Sequence, residues 1–214
     1  MTKPLLITPR RLRAAERGLA AADLAFATLI ERHGRCMLAP EPTRSPYEAL
    51  ATAVMYQQLA GKAAETIHRR FLALFPEYTF PPPEALLAAS DEQLRAAGLS
   101  RQKQGYLRDL ATKALEGVVP TVRGELDDLT SDAIVARLTA VRGVGRWTVE
   151  MFLIFTQGRI DVLPLDDYGI RAGYARAYDL DRLPTTAELR VVGQAWAPWR
   201  SVASWYLWRA ADTR

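Results

Sequence analysis

Apolar residues recur at spacings of three and four along most of this chain, in runs separated by short Gly-, Pro- and Ser/Thr-marked breaks. Thr8-Pro9 reads as an N-cap followed by a first-turn proline, opening an Arg- and Ala-rich helix through Ala22. Residues 23–33 predict a helix with Leu24, Ala27 and Ile30 inward and Gly34 just beyond its end. Ser45-Pro46-Tyr47-Glu48 has the form of a capping box, and the helix predicted over 46–57 sets Tyr47, Leu50, Ala51, Val54 and Met55 on one face. Another helix is predicted over 62–75. Four of the thirteen prolines then crowd into residues 76–83 as a rigid connection. Ser90-Asp91-Glu92-Gln93 caps a short helix closed by Gly98, and residues 100–116 form the next, with Tyr106, Leu107, Leu110 and Ala114 inward. Residues 133–140 and 146–157 read as two more helices. The second carries Trp147, Met151, Ile154 and Phe155 at helical spacing, and Gly158 is placed to end it. Residues 168–178 follow, then a helix capped by Thr185-Thr186-Ala187-Glu188, then a last one opened by Pro198 and carrying Trp199, Trp205, Tyr206 and Trp208. Only Ile160-Asp161-Val162-Leu163 reads as extended, too short to imply a sheet. With nine or ten helices and no strand pair, the class is all-α.

Composition narrows the picture. A chain of 214 residues can bury one core or two tightly joined lobes, and no internal repeat is visible. No apolar run approaches the roughly 20 residues of a membrane-spanning helix, and no apolar region follows the charges of MTKPLLITPRR as in a signal peptide. The expectation is a cytoplasmic protein, associated with the nucleoid if bacterial. The single cysteine, Cys36, excludes an internal disulfide and suits a reducing compartment. His33 and His68 lie far apart on helical segments as surface or packing residues, and with one cysteine they make no zinc site of ordinary spacing. Neither a P-loop nor a dinucleotide-binding glycine motif is present. Net charge is +4, and the basic residues are four lysines and 24 arginines. Arginine's planar fork suits phosphate. This excess is compatible with nucleic-acid binding and equally with a solvated basic surface.

Candidate chemistry concentrates between Leu138 and Gly169. Gly143-Val144-Gly145 stands between two helical segments, where glycines permit backbone angles that other residues resist and leave no side chain in the way of an approaching group. The helix that starts at Arg146 begins with free backbone N–H groups, a natural site for an anion such as a DNA phosphate. Downstream, Pro164-Leu165-Asp166-Asp167-Tyr168-Gly169 puts Asp167 at a helix start, where an aspartate ordinarily serves as a cap.

The Gly-rich hairpin, followed by Pro164 and Asp167, resembles the signature of the helix–hairpin–helix DNA glycosylases. The word Gly145-Arg146-Trp147-Thr148, the Asp166-Asp167-Tyr168 run, the loop Gln57-Gln58-Leu59-Ala60-Gly61 and the stretch GLSRQKQGYLRDLA are closer still to its 3-methyladenine DNA glycosylase II branch. The likeness covers about residues 24–208. It implies a two-lobed helical fold with a cleft between the lobes. Residues of about 46–158 would form the central lobe, with the hairpin at 142–145, and residues of about 1–45 plus 159–214 the other. The N-terminal β domain of some relatives is not expected, nor is the four-cysteine iron–sulfur cluster.

The resemblance also implies roles. Asp167 becomes the catalytic carboxylate, since family spacing from the proline selects it over Asp166. Leu59, with Gln58 beside it, becomes the apolar wedge that fills the gap left by an extruded base; from the residues alone it reads as an ordinary core leucine. Gly143, Val144, Gly145 and Arg146 would meet DNA phosphate. The segment Arg101-Gln102-Lys103-Gln104 could also reach phosphate, though a solvated helix start accounts for most of it. Trp147 and Trp199 match base-pocket tryptophans, against the alternative that all five tryptophans are packing residues. Trp196, Trp205 and Trp208 are left to the core. Backbone carbonyls of Thr139, Val141 and Val144 would hold a monovalent cation, sodium or potassium, and no other cofactor is required. Members that also cut the backbone carry lysine where Trp147 stands here, and no lysine follows Lys113. The expected activity is monofunctional excision of alkylated purines from damaged duplex DNA in base excision repair, by a monomer with no protein partner and no membrane. The alternative is a helix–hairpin–helix module that binds DNA structure without chemistry. For that module, a carboxylate in the register of Asp167 has no use.

Overall fold

The computed structural model describes residues 4–212, whose regular structure is twelve α-helices. Among the described residues the β structure is an isolated antiparallel bridge between Leu6 and Arg159, so residues 160–163 form no sheet. The chain divides into two compact units. One runs from Thr43 to Phe152; the other ends its first segment at Pro42 and resumes at Leu153.

The Thr43–Phe152 unit holds α3 (Pro46–Tyr56), α4 (Gly61–Leu72), α5 (Pro83–Ala88), α6 (Asp91–Ala96), α7 (Arg101–Leu115), α8 (Ser131–Leu138) and most of α9 (Arg146–Phe155). All five residues assigned to the inner face of α3 are buried, and α3 packs on α7, which buries Leu107, Leu110 and Ala111. Each such leucine contributes about 1.5–3 kcal/mol through burial. The Ser45 side chain accepts from the Glu48 N–H at 3.2 Å, and Ser90 with Gln93 forms a complete capping box. Two readings on α7 change. Tyr106 is only half-buried, with its ring against the hairpin at Gly143. Gln104 is buried and donates to the Leu99 carbonyl at 2.9 Å, so this helix start is not wholly solvated. The extra helix α5 has six residues, too few to show a period.

The second unit holds α1 (Pro9–Ala22), α2 (Leu24–His33), α10 (Tyr168–Ala177), α11 (Thr186–Val192) and α12 (Arg200–Asp212). Thr8 caps α1 as expected, its side chain accepting from the Arg11 N–H. The inner face of α2 differs from the expectation. Leu24 is 82% exposed, while Phe26 and Leu29 are buried. Asp23 is the N-cap, and the ring of Phe26 packs edge-on against buried Trp196, with centroids 5.2 Å apart; that contact sets the helix's rotation. The last helix begins at Arg200, so Pro198 and Trp199 precede it. α10 and α12 approach so closely that a Cβ on Gly173 would lie 1.8 Å from the Leu207 carbonyl oxygen. The unit boundaries fall at 42/43 and 152/153 rather than near 45 and 158. Phe155 stacks on Trp208, and its carbonyl accepts from the Glu41 N–H at 2.8 Å, which draws the end of α9 into this unit.

Candidate active site and nucleic-acid interface

In the Thr43–Phe152 unit, the α3–α4 loop and the α8–α9 hairpin form one braced surface. α3 ends with carbonyls that lack helical partners. Lys103 reaches them from α7, its Nζ donating to Met55 O at 2.7 Å and to Gln57 O at 2.8 Å. Partial burial lowers the Lys103 pKa from its usual value. Gln57 Nε2 donates in turn to Gly143 O at 2.9 Å, tying loop to hairpin. Between these anchors Gln58 takes φ +56°, a left-handed conformation uncommon outside glycine. Leu59 is 39% exposed, whereas the core leucine Leu50 is at 0%. Leu59 is therefore available to a ligand and is no part of the core.

The two hairpin glycines answer to different demands. Gly143 has φ +80°, and a Cβ there would lie 2.3 Å from the Tyr106 ring, so the fold itself requires glycine. At Gly145 a Cβ would meet nothing within 4 Å, and the residue is exposed. What Gly145 leaves open is access from outside to the start of α9. The Arg142 N–H donates to Asp109 Oδ2 at 2.8 Å, and the Val144 N–H to Val141 O at 3.1 Å, closing the turn. The Val144 side chain is buried, so only its backbone can serve a ligand. Arg146 lies within 3.4 Å of Glu150 Oε1, with a side chain 55% exposed. Neutral carbonyls such as those of Thr139, Val141 and Val144 are the donor type that hard cations take, and Val141 O, already one hydrogen bond into its capacity, keeps a second lone pair. The described residues contain no group of three or more His, Cys, Asp or Glu able to hold a metal ion.

Trp147, half-exposed at the start of α9, opens onto a hollow of about 470 Å³ lined also by Ala53, Tyr56, Gln57, Gln58, Thr148 and Met151. This volume falls in the range of small-ligand sites, roughly 300–1,000 Å³. His68 sets its ring edge-on to Tyr56 at 6.0 Å, and burial and Arg44 lower its pKa, so it is a packing residue behind this wall.

Asp167 belongs to the other unit. It is the N-cap of α10, and its Oδ1 accepts from the Ile170 N–H at 2.8 Å and from Trp208 Nε1 at 2.9 Å. Trp208 in turn stacks on Phe155. Gly169 makes this possible, since a Cβ there would lie 2.9 Å from the Trp208 ring and 3.2 Å from Asp167 Oδ1. Asp166 is exposed. Trp199 is placed elsewhere in this unit. It packs on α1, where a Cβ on Gly18 would come within 3.0 Å of its Nε1. Of the tryptophans assigned to the core, Trp196 is buried, but Trp208 is half-buried and holds the Asp167 carboxylate. The brace at Lys103, the ring of Tyr106 and the donor at Trp208 are the contributors that sequence reasoning missed. No local pattern marks a hydrogen bond between residues 41 or 48 positions apart.

The sequence pattern of the HhH-GPD superfamily base excision DNA repair proteins matches residues 51–198. The chain belongs to this superfamily. The match spans the α3–α4 loop, the hairpin and Asp167. DNA-3-methyladenine glycosylase 1 of Schizosaccharomyces pombe is 40% identical over 168 residues, which cover 78% of this chain and 73% of that protein. Among solved structures, the 3-methyladenine DNA glycosylase of the same yeast, in complex with abasic DNA, superposes with a TM-score of 0.81 at 37% identity, covering 94% of this chain and all of that one. A DNA-3-methyladenine glycosidase from Bacillus halodurans superposes with a TM-score of 0.82 at 32% identity, over 99% and 94% of the two chains. Position 145 lies within the matched stretch, and nothing in the packing of this chain requires glycine there.

Proposed function

We propose that this HhH-GPD protein is a monofunctional DNA glycosylase that excises alkylated purines of the 3-methyladenine type from duplex DNA. The observation that carries the reading is Asp167, a carboxylate at a helix start whose Oδ1 is fixed by two donors. Cleavage of the bond between base and sugar passes through a transition state with positive charge on the sugar. A carboxylate held rigidly beside that carbon stabilises the charge and orients or deprotonates the attacking water. An alkylated purine already carries positive charge and leaves without a strong general acid. A half-exposed indole such as Trp147 attracts a flat cationic base through its face. Hairpin N–H groups at the start of α9 suit a DNA phosphate, and the carbonyls of Thr139, Val141 and Val144 are the candidates to hold a monovalent cation that would assist there. Leu59 and Gln58, exposed on a braced loop, are the candidates for filling the space of the extruded nucleotide.

Trp147 stands where a lysine nucleophile would be needed for strand cleavage, and no lysine follows Lys113. The protein is expected to release free base from a duplex panel carrying 3-methyladenine, 7-methylguanine or hypoxanthine, leaving the strand intact until alkali is added. Borohydride is expected to trap no covalent adduct; a trapped adduct at neutral pH would overturn the monofunctional reading. No base released from any damaged duplex would favour a structure-binding module instead.

Leu59→Ala tests the loop. Loss of an apolar stacking contact costs about 1–3 kcal/mol, which slows excision and weakens abasic-duplex binding by about 5- to 150-fold. Because Leu59 is exposed, the melting temperature should move little. A variant that melts early yet excises at the parent rate would return Leu59 to the core.

A further inference from the structure

Helix α1 is the part of the chain that the proposed chemistry leaves unused. Its inner face buries Ala15 and Leu19 and sets Gly18 against Trp199. Arg10, Arg13 and Arg17 are exposed at spacings of three and four. At 3.6 residues per turn they fall within an arc of about 60° on the side opposite Ala15. Among the described residues none of the three guanidinium groups is engaged in a hydrogen bond or ion pair. The one acid on the helix, Glu16, makes no ion pair with them, and its Oε1 is held by the Cys36 N–H at 2.7 Å. Arg11 also turns away and donates to Leu6 O at 3.0 Å. The result is a ridge of three unpaired guanidinium groups on a rigid, capped helix. From Arg10 to Arg17 it runs about 10 Å, the axial length of about three phosphates of one DNA strand.

We propose that this arginine ridge is a second DNA-contacting surface, which grips the phosphate backbone of duplex DNA without reading sequence or damage. Guanidinium groups engage phosphate oxygens in paired hydrogen bonds and release condensed counterions as they do so. Such a grip adds to affinity for undamaged duplex and leaves the chemistry at Asp167 untouched. The inference rests on the reading of this chain as a DNA-binding glycosylase.

The test compares R10Q/R13Q/R17Q with R70Q/R95Q/R190Q, a control that removes the same charge from exposed positions on other helices. Affinity for an undamaged duplex is titrated from 50 to 200 mM salt. Neutralising three phosphate contacts should lower the slope of log affinity against log salt by about 2–3, while the control leaves it near the parent value. R10K/R13K/R17K should keep the slope, showing that charge and not packing is read out, and single-turnover excision at saturating protein should stay unchanged in all three. An unchanged slope in the glutamine variant, or an equal drop in the control, overturns the ridge. If the parent protein binds no duplex and releases no base, the glycosylase reading itself fails, and that outcome is separate from either of these.

Discussion

Asp167→Asn is expected to abolish most base excision while leaving the fold intact. Asparagine keeps the shape of the side chain, and its carbonyl oxygen can still accept from the Ile170 N–H and from Trp208 Nε1. Those two donors pin the amide with its oxygen toward them, so α10 keeps its cap. What disappears is the negative charge. Removing one preorganised transition-state electrostatic element costs about 10²–10³ in rate, and here the same group also activates water, so the loss should reach or exceed that range. Binding to abasic duplex should be kept or improve, because one negative charge near DNA phosphates is gone. Asp166→Asn, on an exposed side chain, should be much milder. Trp208→Phe keeps an aromatic ring beside Phe155 but removes the donor to Oδ1, and should lower the excision rate less than Asp167→Asn. Single-turnover base release beside a DNA titration decides the matter. Near-parent excision by Asp167→Asn with a dead Asp166→Asn would mean that the other aspartate is the catalyst, and no effect from either would remove the carboxylate mechanism.

Gly145→Asp is expected to weaken DNA binding at least about tenfold for every duplex alike, with lesion preference preserved. The backbone at 145 has open space around it, so the new side chain fits, and the melting temperature should change little. It places bulk and negative charge at the start of α9, where partial positive charge and free N–H groups suit a phosphate. Contacts to phosphate position a protein on DNA and carry no sequence information, which is why the loss should be uniform. Gly143→Ala should behave oppositely. Its methyl group would meet the Tyr106 ring in a left-handed backbone conformation, so stability should fall by about 1–3 kcal/mol before binding is considered. A selective loss for one lesion in Gly145→Asp would place the hairpin beside the base instead.

The sequence by itself determined the class of the fold and the elements that carry the candidate site. Helical periodicity, proline at first turns and Ser/Thr caps are local signals, and a residue three or four positions away is enough to make them legible; Thr8, Ser45, Ser90 and Thr185 all cap their helices, though at Ser45 only the serine half of the expected capping box forms. The hairpin glycines and Asp167 were legible for a second reason, because their spacing resembles a family signature, and they lie within the stretch matched to that superfamily. Rotation of a helix about its own axis was less secure. α2 turned Phe26 inward and Leu24 outward because Trp196, far along the chain, supplies the surface it packs on. The tertiary structure alone decided which tryptophan holds the carboxylate, which lysine braces the loop and why the two glycines of the hairpin differ. Trp208, Lys103 and Tyr106 act through contacts spanning 37 to 48 positions, and such pairings are set by how the helices pack and leave no trace in local spacing.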